Sequence, residues 1–558
     1  MSTSKPLLFI HSVRYTPWTQ LLHRIRLEAK RRILVWLHRA VRRPARPISA
    51  RAKIRSRKDL PGPVFPARQH LVERVDTGYV GILLNVRKPL RAPMTWLPKV
   101  NQLDLVTLHY MEYLEGVDDE TFISLVLDWI RNNPPYQPGY WQHHWNSYAL
   151  SLRCLVWMQQ MAVRGEQVRN HPDILTSLWE QLDFLQHNLE IDIRGNHLLK
   201  NIKTLMWGSR FFEGMGHWHE KAVALLQNEL SNQFTADGFH FEASPGYHIQ
   251  VFADMLECYS ILNDSPIKKQ LGGKLDLMAQ VVVDLRHPDG FPSLFGDSGF
   301  HMAYSPGACL EAYQSLTGHQ AFPRPSFAFR NAGIFGFRAK DSLLVVDCGK
   351  VGPDVLPAHG HGDILAFELS LLGRRVIVDT GVFEYQEGAR RAHSRSTAAH
   401  NTVNIDEADQ AEFWKSFRVG RRPNAWVEEL SLGNDQFLLQ GAHDGFARMP
   451  GRPIHQRRVE YREGYLKVRD RVLGGRGQHI QSRLLLHPDL MPRIVAGGVD
   501  SDVGEGTLMI RSAQSIHMQK ALWWPDFGCE YSTHQLIFDY GLAPGEGSFE
   551  IQYCDRRL

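Results

Sequence analysis

Three histidines and one aspartate within residues 359–403 are the side chains of this chain best suited to chemistry. His359, His361, Asp379 and His400 lie among apolar runs typical of strands, where solvated loop histidines are not expected. Imidazole and carboxylate are the ligands that zinc prefers, and imidazole also exchanges protons near neutral pH. The segment therefore predicts a metal site and a catalytic acid or base. A buried, hydrogen-bonded cluster without a metal is the alternative.

The spacing in this segment indicates how the four side chains would meet. His359 and His361 are two residues apart, so on an extended strand they would point to one face. LAFELSLLGRRVIVDTG is typical of a hairpin that turns at residues 372–374, and Asp379 ends its second strand. His400 follows the Arg-rich turn RRAHSRSTAAH. A His, Asp and His set from neighbouring strands predicts a closed zinc site.

Two segments of the preceding half also carry candidate site residues. In RGNHLLKN, Asn196 and His197 lie at the predicted start of a helix, where an asparagine is equally suited to be a cap. In DGFHFEASPGYH, Tyr247 follows Ser-Pro-Gly and is expected at the turn that opens the next helix. Glu242 fits a cap, a salt-bridge partner or a site residue, and Tyr247 fits a packing role as well as catalysis.

The elements that must position these residues change type along the chain. From about residue 95 to 320, apolar residues recur at helix spacing in segments such as TFISLVLDWIRNN and WNSYALSLRCLVWMQQMAV. After about residue 325, apolar and polar residues alternate, as in QRRVEYREGYLKVRDRVLG. We therefore predict a multidomain α+β chain with a helical solenoid or α/α toroid followed by an antiparallel β-sandwich.

Composition sets bounds on the class of protein. The 558 residues are 43% hydrophobic and 22% charged, with a net charge of +5, as expected for a globular protein of several domains. The six cysteines are scattered and form no CxxC pair, which argues against a disulfide framework or a thiolate metal site. Residues 22–58 form a dense basic run, which suits a solvated helical arm, a membrane surface, nucleic acid or an acidic polymer. We expect no nucleic-acid binding from this run alone.

Targeting signals are weak. The first residues, MSTSKPLLFIHSVRYTPW, make a poor signal peptide, and no apolar run approaches the roughly 20 residues that a membrane helix needs. The sequence alone therefore predicts a cytoplasmic protein without a transmembrane segment.

Taken together, the motifs resemble those of the heparinase II/III family of polysaccharide lyases. The matching stretches are GNHLLKN, DGFHFEASPGYH, HGHGDILAFEL with VIVDTG, and RSTAAHNTV, in the family's order. The resemblance implies an incomplete α/α toroid followed by an antiparallel β-sandwich. The expected division is a basic segment at 1–60, the toroid at 61–325 and the sandwich at 326–558. Family habit would place the protein in the periplasm.

The resemblance also implies roles for individual residues. Asn196 would neutralise the uronate carboxylate, Tyr247 would serve as Brønsted base and acid, and His359 would be the catalytic histidine. The ligands of a structural zinc ion would be His361, Asp379 and His400. Further candidates for contact with an acidic polysaccharide are His197, Glu242 and Arg395.

β-Elimination at a 4-linked uronic acid requires such a set. The C5 proton is barely acidic, so the adjacent carboxylate must be neutralised while a base takes the proton and an acid protonates the leaving oxygen. Tyr247 would need a lowered pKa to act as the base. The sequence departs from some relatives because Lys200 and Lys203 stand where an acidic residue is found. Two other readings stay open: a glycoside hydrolase using Glu242 and Asp237, and a non-catalytic glycan-binding protein linked to exopolysaccharide metabolism.

Overall fold

Most of the helices lie in the first half of the protein. The computed structural model describes residues 5–41, 53–76, 78–504 and 506–555. Its α-helices are α1 Lys5–Val13, α2 Trp18–Val41, α3 Gln102–Tyr110, α4 Asp119–Asn132, α5 Ser147–Val163, α6 Glu166–Arg169, α7 Pro172–Gln186, α8 Gly195–Phe211, α9 Gly216–Asn232, α10 Pro245–Ile261, α11 Pro266–Leu285, α12 Pro306–Thr317 and α13 Ala389–Arg395.

The helical half has an inner and an outer layer. Nearly every residue of α5, α8 and α10 is buried, whereas α4, α7, α9 and α11 bury only one face. A helix that is apolar or buried all round must lie inside other elements. The helices therefore alternate between the outside and the inside around one apolar core, which is the α/α toroid expected from the sequence.

The second half is built of antiparallel strands in three larger sheets. In the described part of the chain, these sheets have five, four and eight strands. Phe367, Phe538 and Phe549 come one from each sheet, and their rings pack with centroids 4.6 and 6.3 Å apart. The sheets thus share one core, in agreement with the predicted sandwich.

The strands of this half begin at Ser326, after an eight-residue connection from the end of α12. They are β4 Ser326–Phe329, β5 Ile334–Ala339, β6 Ser342–Asp347, β7 Phe367–Leu371, β8 Arg374–Ile377, β9 Val403–Ile405, β10 Phe413–Trp414, β11 Arg418–Val419, β12 Ala425–Leu432, β13 Gln436–His443, β14 Ile454–Arg462, β15 Tyr465–Leu473, β16 His479–Leu485, β17 Arg493–Val495, β18 Gly498–Val503, β19 Gly506–Ser512, β20 Ile516–Trp523, β21 Tyr531–Leu542 and β22 Gly545–Asp555. The three larger sheets run in the order β4-β5-β6-β7-β8, β20-β21-β16-β9 and β12-β13-β14-β15-β22-β19-β18-β17.

Two local predictions in the key segment have different outcomes. The hairpin is confirmed, since β7 and β8 pair across a turn at Leu372 and Gly373. The extended strand expected for His359 and His361 is wrong, because residues 351–366 form a loop in front of β7. A small sheet that the sequence reading did not foresee precedes the toroid helices: β1 Val72–Val75, β2 Gly78–Leu83 and β3 Val86–Leu90.

The basic run at 22–58 lies partly within α2, while its residues 42–52 are outside the described part of the chain. Among the described residues, no helix combines the length and the apolar character required to cross a bilayer.

Candidate active site and metal centre

A cavity of about 1180 Å³ lies where the two halves meet. Its helical wall is made by the N-terminal ends of α5, α8 and α10, which contribute Tyr148, Asn196 and Tyr247. The opposite wall comes from loops of the β half and includes His359 and Tyr385. The positive ends of three helix dipoles lie at this wall, although side chains cap several of their N–H groups, and this arrangement suits a carboxylated ligand.

Asn196 is fixed by a buried carboxylate. It is the second residue of α8 rather than the cap, which is Arg194. Glu242 accepts hydrogen bonds from the backbone N–H of Asn196 at 2.8 Å and from its Nδ2 at 2.9 and 3.1 Å. Burial by itself would raise the pKa of Glu242, but contacts with His359, His240 and Asn196 outweigh it and hold the pKa below its ordinary value. Glu242 thus positions Asn196 from beneath the cavity.

Tyr247 and His359 face each other across the junction. Tyr247 follows the cap Ser244 and Pro245 at the start of α10, as the sequence predicted. Its ring lies 3.9 Å from that of His359, centroid to centroid, and its hydroxyl lies 3.0 Å from that of Tyr385. Burial, reinforced by Tyr385, raises the pKa of Tyr247 well above its ordinary value. The lowered pKa expected for a tyrosine base is therefore not found for Tyr247 in this structure.

One carboxylate, Asp297, joins the two histidines that lie two residues apart. His359 Nδ1 donates to Asp297 Oδ2 at 2.9 Å, and His361 Nε2 donates to Asp297 Oδ1 at 2.8 Å. The Arg391 guanidinium contacts both oxygens of the same carboxylate. Burial would raise the pKa of Asp297, yet Arg391 and the histidines hold it well below its usual range. Asp297 is thus an ionised anchor shared by both rings.

Behind Asp297, three side chains that could bind a metal ion converge. His361, Asp363 and His400 place one ligand atom each within 4.8 Å of one another, and all three are buried. His361 Nδ1 and His400 Nε2 are buried nitrogens that find no hydrogen-bond partner among the described residues. Their other ring nitrogens donate to Asp297 and Asp379, respectively, the latter at 2.8 Å. Metal-binding histidines commonly have such a carboxylate on the second nitrogen, so the donor set fits a zinc ion.

The protonation of the two rings differs. Burial lowers the pKa of His361 to about 4, so this ring is neutral and able to bind a metal. Burial alone would also lower the pKa of His400, but the neighbouring Asp379 carboxylate outweighs this effect and raises the pKa to about 9. A metal that binds Nε2 would release the proton from this ring.

The predicted ligand set and the observed cluster differ in one carboxylate. Asp379 contacts His400 Nδ1 instead of facing the two free nitrogens, while Asp363 takes the third corner. The sequence reading missed Asp363, although it stands two residues after His361 in HGHGD. It also missed Asp297, Tyr385 and Arg391. Only the crowding of Arg and Tyr in the quoted segment hinted at the last two, and nothing pointed to Asp297.

Of the substrate-contact candidates, His197 lines the cavity and Arg395 does not. The His197 ring packs at a tilt against Tyr148 with centroids 4.4 Å apart, and its Nδ1 lies 3.1 Å from Glu190 Oε1. Arg395 is almost fully buried and donates to the carbonyl groups of Gly360, Lys415, Ser416 and Arg418. It braces the loops of the cavity wall from behind.

The two lysines that mark a departure from some relatives do not face the cavity. Lys200 and Lys203 are buried, and each Nζ lies 2.7 Å from Asp254 Oδ1. They form an internal ion cluster between α8 and α10. The positive charge available to an acidic ligand comes instead from the cavity rim, where Lys415 and Arg418 lie.

Both halves of the chain match models of one protein family. Residues 111–318 match the heparinase II/III N-terminus, and residues 321–551 match the heparinase II/III-like C-terminal model. The fold and the cavity between a helical toroid and a β-sandwich agree with this. The chain belongs to the heparinase II/III family, which confirms the resemblance seen in the sequence.

Individual relatives are more distant. A heparin-sulfate lyase from Pedobacter heparinus is 27% identical over 331 residues, which cover 54% of this chain and 47% of the relative. One from Bacteroides thetaiotaomicron is 26% identical, covering 51% and 48%. The chain thus spans about half the length of the curated relatives it matches.

Solved structures share the fold over most of the chain. The crystal structure of heparinase III has a TM-score of 0.67 at 16% identity, covering 94% of this chain and 89% of that one. A heparan sulfate lyase mutant from Pedobacter heparinus has a TM-score of 0.60 at 19% identity, covering 95% and 88%.

Proposed function

We propose that this protein is a polysaccharide lyase that cleaves a uronate-containing acidic polysaccharide by β-elimination. The observation that carries the proposal is the meeting of Asn196, Tyr247 and His359 at one cavity. They come from the starts of two inner helices and from a loop of the β half. The family membership and the heparin-sulfate lyases among the relatives give independent support.

Asn196 is suited to neutralise the substrate carboxylate. Its amide is held by Glu242 at the positive end of α8, where a uronate carboxylate would meet polar donors rather than water. An enolate-like intermediate carries more charge on the carboxylate than the ground state does. Preorganised donors therefore stabilise the transition state preferentially, which is the electrostatic term that the reaction needs.

We assign the proton transfers to His359 and Tyr247. Asp297 accepts from His359 Nδ1, so Nε2, which lies 3.4 Å from Glu242 Oε2, is the nitrogen that would take the C5 proton. Because burial raises the pKa of Tyr247, its phenol stays protonated near neutral pH and can donate to the leaving O4 oxygen. Tyr385 lies within hydrogen-bond distance of this phenol and would hold its orientation.

A zinc ion would be held by His361, His400 and a carboxylate. The free nitrogens favour Asp363 as that carboxylate, with Asp379 orienting His400; direct ligation by Asp379 stays a prediction. When bound, the ion would supply a structural crosslink. We infer that it fixes the loop that carries His359, because His361 belongs to the same loop.

A hydrolase is less well supported. It would need two carboxylates flanking the scissile bond, and the pair suggested by the sequence was Glu242 with Asp237. Asp237 accepts from the backbone N–H of Asn331 at 2.7 Å, and neither residue lines the cavity. A non-catalytic glycan-binding protein would not need Asn196, Tyr247 and His359 to meet at one cavity.

Ultraviolet absorbance during incubation with acidic polysaccharides tests the proposal. The panel would include heparan sulfate, chondroitin sulfate, alginate and bacterial exopolysaccharides. β-Elimination leaves an absorbing 4,5-unsaturated uronate, whereas hydrolysis leaves none. We expect Tyr247→Phe and His359→Ala to lower kcat by about 10²–10⁴-fold on the polymer that is cleaved.

Matched controls are Tyr313→Phe, which removes a tyrosine hydroxyl that bonds Asp276 away from the cavity, and His319→Ala at an exposed site. Both should keep activity near that of the parent. Reducing ends without absorbance would replace the lyase by a hydrolase. Full activity in both site variants would refute the assigned roles.

A further inference from the structure

The two helices of residues 5–41 carry an apolar stripe on a surface that nothing in the described chain covers. We define these helices, α1 and α2, as the basic arm. Along α2, large apolar side chains recur every three or four residues and are exposed, with Trp18 at 69% and Trp36 at 66%. The stripe consists of Trp18, Leu22, Ile25, Ala29, Ile33 and Trp36.

This spacing places the stripe on one face of α2. The opposite face is fixed to the toroid: Leu27 is buried, Arg24 Nε lies 3.4 Å from Asp192 Oδ2, and Lys30 Nζ donates to the His187 carbonyl at 2.7 Å. The arm is therefore inverted relative to an ordinary surface helix. Its polar face binds the protein and its apolar face points outward.

The other helix of the arm is fixed to the β half. Ser12 Oγ donates to the Val419 carbonyl at 3.0 Å and accepts from Trp414 Nε1 at 2.9 Å. On its free side, α1 exposes Leu7, Phe9 and Ile10. The arm thus spans both halves beside the loop whose Lys415 and Phe417 line the cavity, and it adds further apolar surface to the stripe.

The charge of this region identifies the occupant. Residues 5–41 contain eight Lys or Arg and one Glu, and residues 42–58 add eight more Lys or Arg and no acid, whereas the remaining 500 residues from 59 onward contain 48 Lys or Arg and 58 Asp or Glu. Arg26 and Arg32 are exposed and flank the stripe on its two sides, and Arg32 Nε also donates to Glu28 Oε1 on the surface of the same helix at 3.0 Å. A face with Trp, Ile and Leu bordered by cations is typical of helices that lie in the plane of an anionic membrane.

We propose that the basic arm docks this protein onto an anionic lipid bilayer, with the stripe inserted among the acyl chains and the flanking arginines at the phosphates. An acidic polysaccharide would attract the arginines, but it offers no apolar phase for two tryptophans, two isoleucines and a leucine. A second arm would bring like charges together, which disfavours self-association through this face. Docking would hold the cavity close to the membrane surface.

Sedimentation of the full chain with vesicles tests this inference. The probes are vesicles of phosphatidylcholine alone and of phosphatidylcholine with one quarter phosphatidylglycerol. We expect at least tenfold tighter binding to the anionic vesicles, weakened by 0.5 M salt. Trp18→Glu/Trp36→Glu should reduce this binding at least tenfold, and Arg26→Gln/Arg32→Gln several-fold.

The matched control is Phe322→Glu/Ile494→Glu, which replaces two equally exposed apolar residues outside the arm by the same acid. It should bind vesicles like the parent. Absence of binding to anionic vesicles, or equal loss in the control, would overturn the proposal. So would a chain that forms dimers in light scattering and becomes monomeric through the Trp18→Glu/Trp36→Glu change, because a second copy would then cover the stripe. None of these readouts depends on the lyase reaction.

Discussion

His359 and His361 stand two residues apart, share one carboxylate and yet belong to different regions. His359 lines the cavity beside Tyr247, whereas His361 is fully buried next to His400. We compare the cavity, which His359 lines, with the histidine cluster, which comprises His361, Asp363, Asp379 and His400. Residue type and spacing therefore select a chemistry in general, while burial decides which chemistry each histidine performs.

The largest effect is expected where the two regions join. Asp297→Ala would leave Arg391 as a buried, unpaired cation and would release both rings, so we expect a loss of about 3–5 kcal/mol in the free energy of unfolding. Activity should fall as well, because His359 loses the acceptor that orients it. Thermal unfolding and ultraviolet assays measure the two losses.

Asp489→Ala, at an exposed carboxylate, is the control for this change and should have an effect below about 1 kcal/mol. If Asp297→Ala lost activity but kept its stability, Asp297 would act only on the cavity residue His359 and would not stabilise the histidine cluster.

Removal of a metal should distinguish the histidine cluster from the cavity. We expect elemental analysis to find about one zinc ion per chain. A strong chelator should lower the apparent melting temperature of the parent and of Tyr247→Phe, because both proteins keep His361 and His400. His361→Ala/His400→Ala should contain no zinc and should not respond to the chelator. Zinc retained in that double variant would place the metal elsewhere.

The pH dependence of stability tests the role of Glu242 beneath the cavity. The pKa of Glu242 is lower in the folded protein than the ordinary value of about 4.3. Its ionised form therefore stabilises the fold above that pH, and this contribution is lost as the pH falls through the folded-state pKa. Glu242→Gln should be less stable than the parent at pH 7, by about 1–3 kcal/mol.

The same difference should shrink when urea unfolding is repeated between pH 4 and pH 3. A difference that stays constant over this range would mean that Glu242 contributes by packing rather than by charge.

The smallest effect is expected at Arg395, which supports the cavity wall without lining it. Arg395→Lys keeps the charge but loses the fork that reaches several carbonyl groups, so we expect about 1–2 kcal/mol of destabilisation. Because the bonded loop includes Lys415, KM should rise more than kcat falls. Steady-state kinetics would decide: a KM unchanged beside a lowered kcat would connect Arg395 to the chemical step instead.

Local pattern was sufficient for much of the architecture. Helix periodicity and Pro at the first turn placed Tyr247 at the start of α10, and alternation gave the β7–β8 hairpin. Both signals act over a few neighbouring residues, so they are visible in the chain itself. The loop around His359 was misread as a strand, because its glycines and histidines satisfy their hydrogen bonds through distant partners.

The sequence by itself determined the order of the two halves, the family and the main site candidates, since these depend on periodicity and on motifs of contiguous residues. Only the tertiary structure decided that Asp297 serves both histidines and that Asp363 joins His361 and His400. It also decided that Lys200 and Lys203 are buried ion-pair partners and that the face of α2 with two tryptophans points outward. The physical reason is that charge pairing and burial are set by residues dozens to hundreds of positions away.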